Sequence, residues 1–211
     1  MTNKEKIERG RIVVSKLKEL YPDAVCTLEY CENAWQLLEM TRLSAQCTDE
    51  RVNKVSGPLF KRYPTPYDMA NADIEELESL IFSCGMYHTK ARDLKLSSRM
   101  IIEEFDGKVP DNMEDLLKLP GVGRKIANLI LGDVYKKPSV VTDTHCIRIS
   151  YRLGLTESHD PHKAEKELRE IIEEKEQTDY CHRIVDFGRD VCKAQNPKCD
   201  LCPFKDFGCR K

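Results

Sequence analysis

Apolar positions along this chain recur mostly at helical spacing. In "RKIANLILGDVY" the residues Ile126, Ala127, Ile130, Leu131 and Val134 share one face of a predicted helix. "HKAEKELREIIEEK" and "DIEELESLIFSCG" follow the same pattern. In "DNMEDLLKL", Asp111 with Glu114 three residues on predicts a capping box, and Met113, Leu116 and Leu117 continue at helical spacing. Strand-like runs are few, the best being "SVVT" at 139–142, too short to make a sheet. The pattern predicts an all-α fold, and no repeat, low-complexity tract or long Gly/Ser linker marks a boundary.

Composition adds scale. A chain of 211 residues, 40% hydrophobic and 33% charged, buries one large core or two modest ones. No apolar run approaches the roughly 20 residues of a membrane span, and "MTNKEKIERGRIVVSKLKEL" lacks the apolar stretch of a secretory signal. The expectation is a cytoplasmic protein with no membrane partner. The net charge of −2 hides a segregation. Residues 1–20 carry six basic and three acidic side chains, 120–152 six and two, and 181–211 seven and four. Residues 66–118 carry six against twelve, and 153–180 four against nine. A fold turns such blocks into opposite faces, one suited to a polyanion, or leaves them as ordinary solvated helix surface.

Ten cysteines in a reducing compartment do not imply disulfides. Those at 26, 31, 47, 84, 146 and 181 lie scattered among apolar residues and read mostly as small buried hydrophobes. The terminal four, Cys192, Cys199, Cys202 and Cys209, are separated by six, two and six residues in a polar tail. Thiolates so clustered hold Zn²⁺ or an iron–sulfur cluster, and the spacing alone does not choose.

"LPGVGRK", residues 119–125, lies between two predicted helices. Pro120 stops the first, Gly121 and Gly123 permit a tight turn, and Arg124 and Lys125 open the second. Exposed amides at a helix start suit an anion such as a DNA phosphate, although short Gly-rich turns between helices are common. Lys125, at a helix N-terminus beside Arg124, has reason to lose its proton and act as a nucleophile; the plain alternative is an exposed lysine. Asp143, in "VVTDTHC", is a carboxylate for that amine or simply a helix cap.

"LPGVGRK", "TDTH", "LSAQCTDERVN" and the terminal cysteines together resemble the endonuclease III family of helix–hairpin–helix DNA glycosylases, in order and approximate spacing, over nearly the whole chain. The resemblance implies a bifunctional glycosylase and abasic-site lyase that removes oxidised pyrimidines from duplex DNA. Lys125 is then the nucleophile at C1′ and Asp143 its assistant. The four cysteines ligate a [4Fe–4S] cluster. Gln46 fills the gap left by a flipped nucleotide, Met86 wedges into the stack, and the turn Gly121, Val122, Gly123 and Arg124 grips the backbone. It further implies a monomer of two helical lobes with DNA in the cleft between them. One is a six-helix lobe of about residues 26–136 containing the hairpin; the other joins 1–25 to 137–211 and carries the cluster. Lys90 and Arg92 have phosphate or only water to meet and receive no role.

Some positions depart from the family. The last cysteine gap has six residues instead of the usual five, Thr142 replaces a valine, Ile126 a threonine, Cys47 an alanine and Met86 a leucine. "DFG" at 186–188 evokes a kinase motif but has no nucleotide loop to accompany it. Two other readings are a monofunctional glycosylase, which typically lacks a lysine at the position of Lys125, and a non-catalytic DNA-binding module with structural zinc.

Overall fold

The computed structural model describes residues 1–30 and 33–210; Cys31, one of the scattered cysteines, lies outside the described residues. Among the described residues there is no strand, and no helix is long and apolar enough to cross a membrane. "SVVT" is extended coil whose side chains are buried. The chain divides into two compact units, Thr27–Tyr135 and Met1–Cys26 with Lys136–Lys211.

The central unit contains α2 (Ala34–Leu43), α3 (Asp49–Arg62), α4 (Pro66–Ala70), α5 (Ile74–Ile81), α6 (Tyr87–Glu104), α7 (Met113–Leu116) and α8 (Arg124–Asp133). α4 is a five-residue turn set off by its own capping box, Thr65 with Asp68. α6 packs on α4 and α5, and α2 packs on α3 and α8. Leu37, Leu38, Met40, Leu43, Leu59, Leu77, Leu94, Ile101 and Ile130 are fully buried among them. Burial of this apolar area is the main force holding the unit together. One buried polar network ties α2 to α6. Arg42 pairs with Glu39 at 3.1 Å and reaches Ser97 and, at 3.2 Å, the Asp93 carbonyl. An ion pair this deep needs such additional bonds to offset its lost hydration.

The cap of α7 is Asn112, one residue later than the expected Asp111. The helix is a single turn starting at Met113, so the side chain that reaches the free amide of Asp115 (3.0 Å) is that of Asn112. Asn33, Thr48, Thr65 and Asp73 cap α2 to α5 in the same way. α6 and α8 differ: their N-caps, Met86 and Gly123, make no side-chain hydrogen bond.

The terminal unit contains α1 (Asn3–Leu20), α9 (Thr144–Arg152), α10 (Pro161–Ile171) and α11 (Gln177–Asp190), followed by a cysteine-bearing loop. α1 packs on α10 and α11, and α9 packs on α11. Phe187 and Gly188 of the "DFG" sequence are structural. Phe187 is fully buried, and a Cβ at Gly188 would stand 2.6 Å from His145 and 2.8 Å from Ile149, so only glycine lets α11 approach α9 this closely.

Candidate DNA-binding and catalytic residues

The hairpin is built from the end of α7 to the start of α8. Leu117 ends the first helix before Pro120 is reached, and Val122 N–H closes the turn on the Leu119 carbonyl at 3.1 Å. Gly121 takes φ +75°, a left-handed conformation open to glycine at no steric cost, and a Cβ there would meet Asp93 Oδ2 at 3.2 Å. Gly123 is a different case. Its φ of −100° is open to any residue and a Cβ would meet nothing within 4 Å, so no demand inside the protein selects glycine there. Val122 turns its side chain into the core and offers only its main chain. Arg124 is half-buried; Lys125, the second residue of α8, is exposed near a helix start whose N-cap, Gly123, makes no side-chain hydrogen bond.

Gln46 and Met86 are both exposed, Met86 at 51%, so neither side chain is part of the core. Both have left-handed backbones, φ 54° and φ 47°. For residues with a Cβ this costs roughly 1–2 kcal/mol and persists only where surroundings impose it. Phe82, 63% exposed, meets the Tyr87 ring at 4.9 Å in a tilted contact beside Met86; periodicity alone does not separate it from the core side chains of α5.

Lys90 meets neither phosphate nor water, the two prospects its sequence offered. It is 6% exposed, and its Nζ donates to the carbonyls of Leu43 (2.9 Å), Ala45 (2.9 Å) and Cys84 (2.8 Å).

In the terminal unit Asp143 is the N-cap of α9. Oδ1 accepts from Cys146 N at 2.7 Å, and Oδ2 stands 3.3 Å from His145 Nδ1. Capping therefore accounts for the position of the carboxylate, which keeps 17% of its side chain exposed. Of the scattered cysteines, Cys84, Cys146 and Cys181 are buried, whereas Cys26 and Cys47 are half-exposed.

The terminal cysteines form no disulfide and lie in a loop with little core of its own: between residues 192 and 210 Phe204 alone is buried, against Phe187 at 5.4 Å. Arginines stitch the loop to its unit. Arg152 donates to Cys192 Sγ (3.4 Å) and to the carbonyls of Lys193 (2.8 Å) and Ala194 (3.2 Å). Arg148 donates to the Cys192 carbonyl and Arg9 to that of Phe207, each at 3.0 Å. Burial pushes the Cys202 thiol above its ordinary pKa, and the nearby Cys209, Cys192 and Cys199 push it further. Cys209 is raised in the same sense, by burial and then by Cys192 and Cys199. Cys202 and Cys209 thus sit where thiolate charge is disfavoured unless a positive centre accompanies it, and four cysteines are the donor set of an iron–sulfur cluster. Gly208, in the last gap, has a left-handed backbone at φ 63°.

The sequence matches the HhH-GPD superfamily of base excision DNA repair proteins over residues 40–174, more than half the chain. The iron-sulfur binding domain of endonuclease III matches residues 192–207 and stops just before Cys209, where the last gap is longer than usual. Endonuclease III of Synechocystis sp. is 46% identical over 198 residues, spanning 93% of this chain and 90% of that protein. Endonuclease III of Bacillus subtilis is 39% identical over 212 residues, spanning 100% and 94%. A solved endonuclease III–DNA covalent intermediate superimposes with a TM-score of 0.91 at 40% identity, covering 100% of this chain and 96% of that one. A thermostable thymine-DNA glycosylase, 23% identical with a TM-score of 0.84 over 96% of this chain and 95% of its own, shares the fold. Identity of this extent over the full length, with both family matches in their usual order, establishes that the chain belongs to the endonuclease III family of HhH-GPD base excision repair proteins, the branch that carries a [4Fe–4S] cluster.

Proposed function

We propose that this DNA glycosylase and abasic-site lyase removes oxidised pyrimidines from duplex DNA, with Lys125 as nucleophile and Asp143 as its carboxylate partner. The observation that carries the reading is the exposed amine of Lys125 one residue into α8, beside a turn whose Gly123 has no internal reason to be glycine.

In this reading the amides and glycines of the Gly121–Arg124 turn hold a backbone phosphate. That contact carries no sequence information and positions the strand. Met86 enters the stack and Gln46 fills the space vacated by the flipped nucleotide, offsetting lost stacking and pairing. Lys125, as the neutral amine, attacks C1′ while the bond to the base breaks and the base leaves with its electron pair and then a proton. Asp143 takes the amine proton and balances the positive charge that develops. The C1′–O4′ bond then breaks, O4′ taking up a proton, to leave a Schiff base between C1′ and Lys125; this acidifies C2′–H, loss of that proton expels the 3′ phosphate by β-elimination, and water then frees the lysine. When bound, the cluster held by Cys192, Cys199, Cys202 and Cys209 cross-links the polar tail and supplies a redox-active centre, while the sugar chemistry is complete with amine and carboxylate.

Borohydride reduction of the Schiff base is the test. The wild-type protein should become covalently trapped on duplex carrying an abasic site or an oxidised pyrimidine. Lys125→Gln should abolish trapping and nicking while still binding DNA, and Asp143→Asn should bind and release base slowly. Trapping by Lys125→Gln at the wild-type rate would mean that another amine is the nucleophile.

A further inference from the structure

Two left-handed, exposed residues in the central unit, Gln46 and Met86, stand forty positions apart in sequence and have no side-chain burial to hold their backbones in place. What holds them is visible at the preceding residues. The Ala45 carbonyl, one residue before Gln46, accepts from Lys90 Nζ at 2.9 Å; the Cys84 carbonyl, two residues before Met86, accepts from the same atom at 2.8 Å. The third acceptor is the carbonyl of Leu43, last residue of α2, at 2.9 Å. The Lys90 backbone N–H bonds the Met86 carbonyl at 3.1 Å, so the residue grips the second loop by main chain and side chain together.

An ammonium has three N–H groups, and here all three are spent on main-chain carbonyls. A positive charge at the C-terminal end of α2 also suits the helix dipole. Nothing is left over for a phosphate, and at 6% exposure none can reach it. Burial draws the Lys90 pKa below the ordinary lysine range, with the neighbouring Cys84 and Cys47 thiols working the other way. An apolar side chain would fill this space without the cost of desolvating a charge, so the lysine's distinctive contribution is the bonding of two loops to one point.

We infer that Lys90 is a positioning residue for base extrusion: its ammonium locks the Gln46 and Met86 loops to one another so that plug and wedge enter the duplex as one preformed unit. The inference rests on the reading of Gln46 and Met86 as the inserting residues. It makes the two loops energetically coupled, and it confines the role of Lys90 to substrates whose target must be flipped from a duplex.

The experiment compares Lys90→Met, which keeps the stem and removes every donor, with Lys90→Gln, which retains two. Three quantities are measured on each: single-turnover base release from duplex with one oxidised pyrimidine, fluorescence of 2-aminopurine placed next to the lesion as a report of extrusion, and borohydride trapping on a single-stranded abasic oligonucleotide, which has no partner strand to displace. Misplacing a catalytic geometry by about 1 Å costs on the order of 100-fold, so Lys90→Met should lose tenfold or more in base release, and its extrusion signal with it. Lys90→Gln should fall between Lys90→Met and wild type, and single-strand trapping should stay within about twofold of wild type. In a Gln46→Ala, Met86→Ala background, adding Lys90→Met should cost little, because the element it positions is already gone. If Lys90→Met does not melt cooperatively, Lys90→Gln carries the same comparison. Equal losses on duplex and single strand, or no loss on duplex while Gln46→Ala and Met86→Ala slow it, overturn the role of Lys90. Wild-type base release by Gln46→Ala and Met86→Ala removes the insertion reading, and the inference falls with it.

Discussion

The insertion loops of the central unit and the cysteine loop of the terminal unit solve one problem, holding an irregular polar segment still, by different means. The first lies over a dense apolar core, and a single buried ammonium bonded to three carbonyls fastens both of its loops. The second has Phe204 as its one buried side chain between residues 192 and 210, and relies on arginine bonds to carbonyls and on four thiols. Where a core lies beneath, ordering a few residues costs little more than their own entropy. Where none does, covalent or metal–sulfur links must supply what hydrophobic burial does not.

That contrast breaks most visibly at the ligands. Cys202→Ser should lose most of the iron and the visible thiolate-to-iron absorbance, and its tail should become open to protease while Lys125 and the rest of the chain remain intact in the digest. Retention of full iron content would contradict four-thiolate ligation by this set. Next in size is Gly121→Val, which places a β-branched residue at φ +75° against Asp93. It should destabilise by about 2–3 kcal/mol, read as a lower midpoint in denaturant. Gly123→Ala, with open space at its Cβ, should leave that midpoint unchanged and weaken binding to intact duplex, separating a glycine needed by the fold from one needed by the DNA.

Gln46→Gly sharpens the comparison from the other side. Relief of the left-handed strain at φ 54° should raise stability by about 0.5–1 kcal/mol, while base release slows because the plug is gone. The smallest effect belongs to the tail. Arg210 and Lys6 hold Glu157 down to a pKa of about 2. A depressed carboxylate pKa contributes stability that is present above the unfolded value of about 4.3 and is lost as pH falls toward 2. Glu157→Gln should therefore flatten the acid limb of the stability curve between those limits. At neutral pH it should cost no more than about 1 kcal/mol, because the pair is exposed.

Much of this molecule is decided by local chemistry. Helical spacing of apolar residues determines the all-α class, since each amphipathic stripe has to be buried whatever its partner. Gly121 determines a left-handed turn, and four ligand-spaced cysteines in a polar tail determine a metal-binding loop. The family motifs "LPGVGRK" and "TDTH" single out Lys125 and Asp143 as catalytic candidates without reference to any contact. Caps are legible only to within a residue, as Asn112 in place of Asp111 shows, because neighbouring side chains compete for the same free amides.

Tertiary structure alone decides which polar residues do their work from inside. Lys90 has the sequence signature of a surface charge, and only the folding of residues 43–45 and 84 around it supplies the acceptors that make it a clamp. Gln46 and Met86 are ordinary residue types whose left-handed backbones no propensity favours. Gly188 looks like part of a nucleotide motif until His145 and Ile149 are found against it. A sequence specifies each residue's donors, acceptors and volume, but partners distant along the chain are chosen by the packing of the whole core. That is why the candidate nucleophile can be read from a motif and the residue proposed to position the inserting loops cannot.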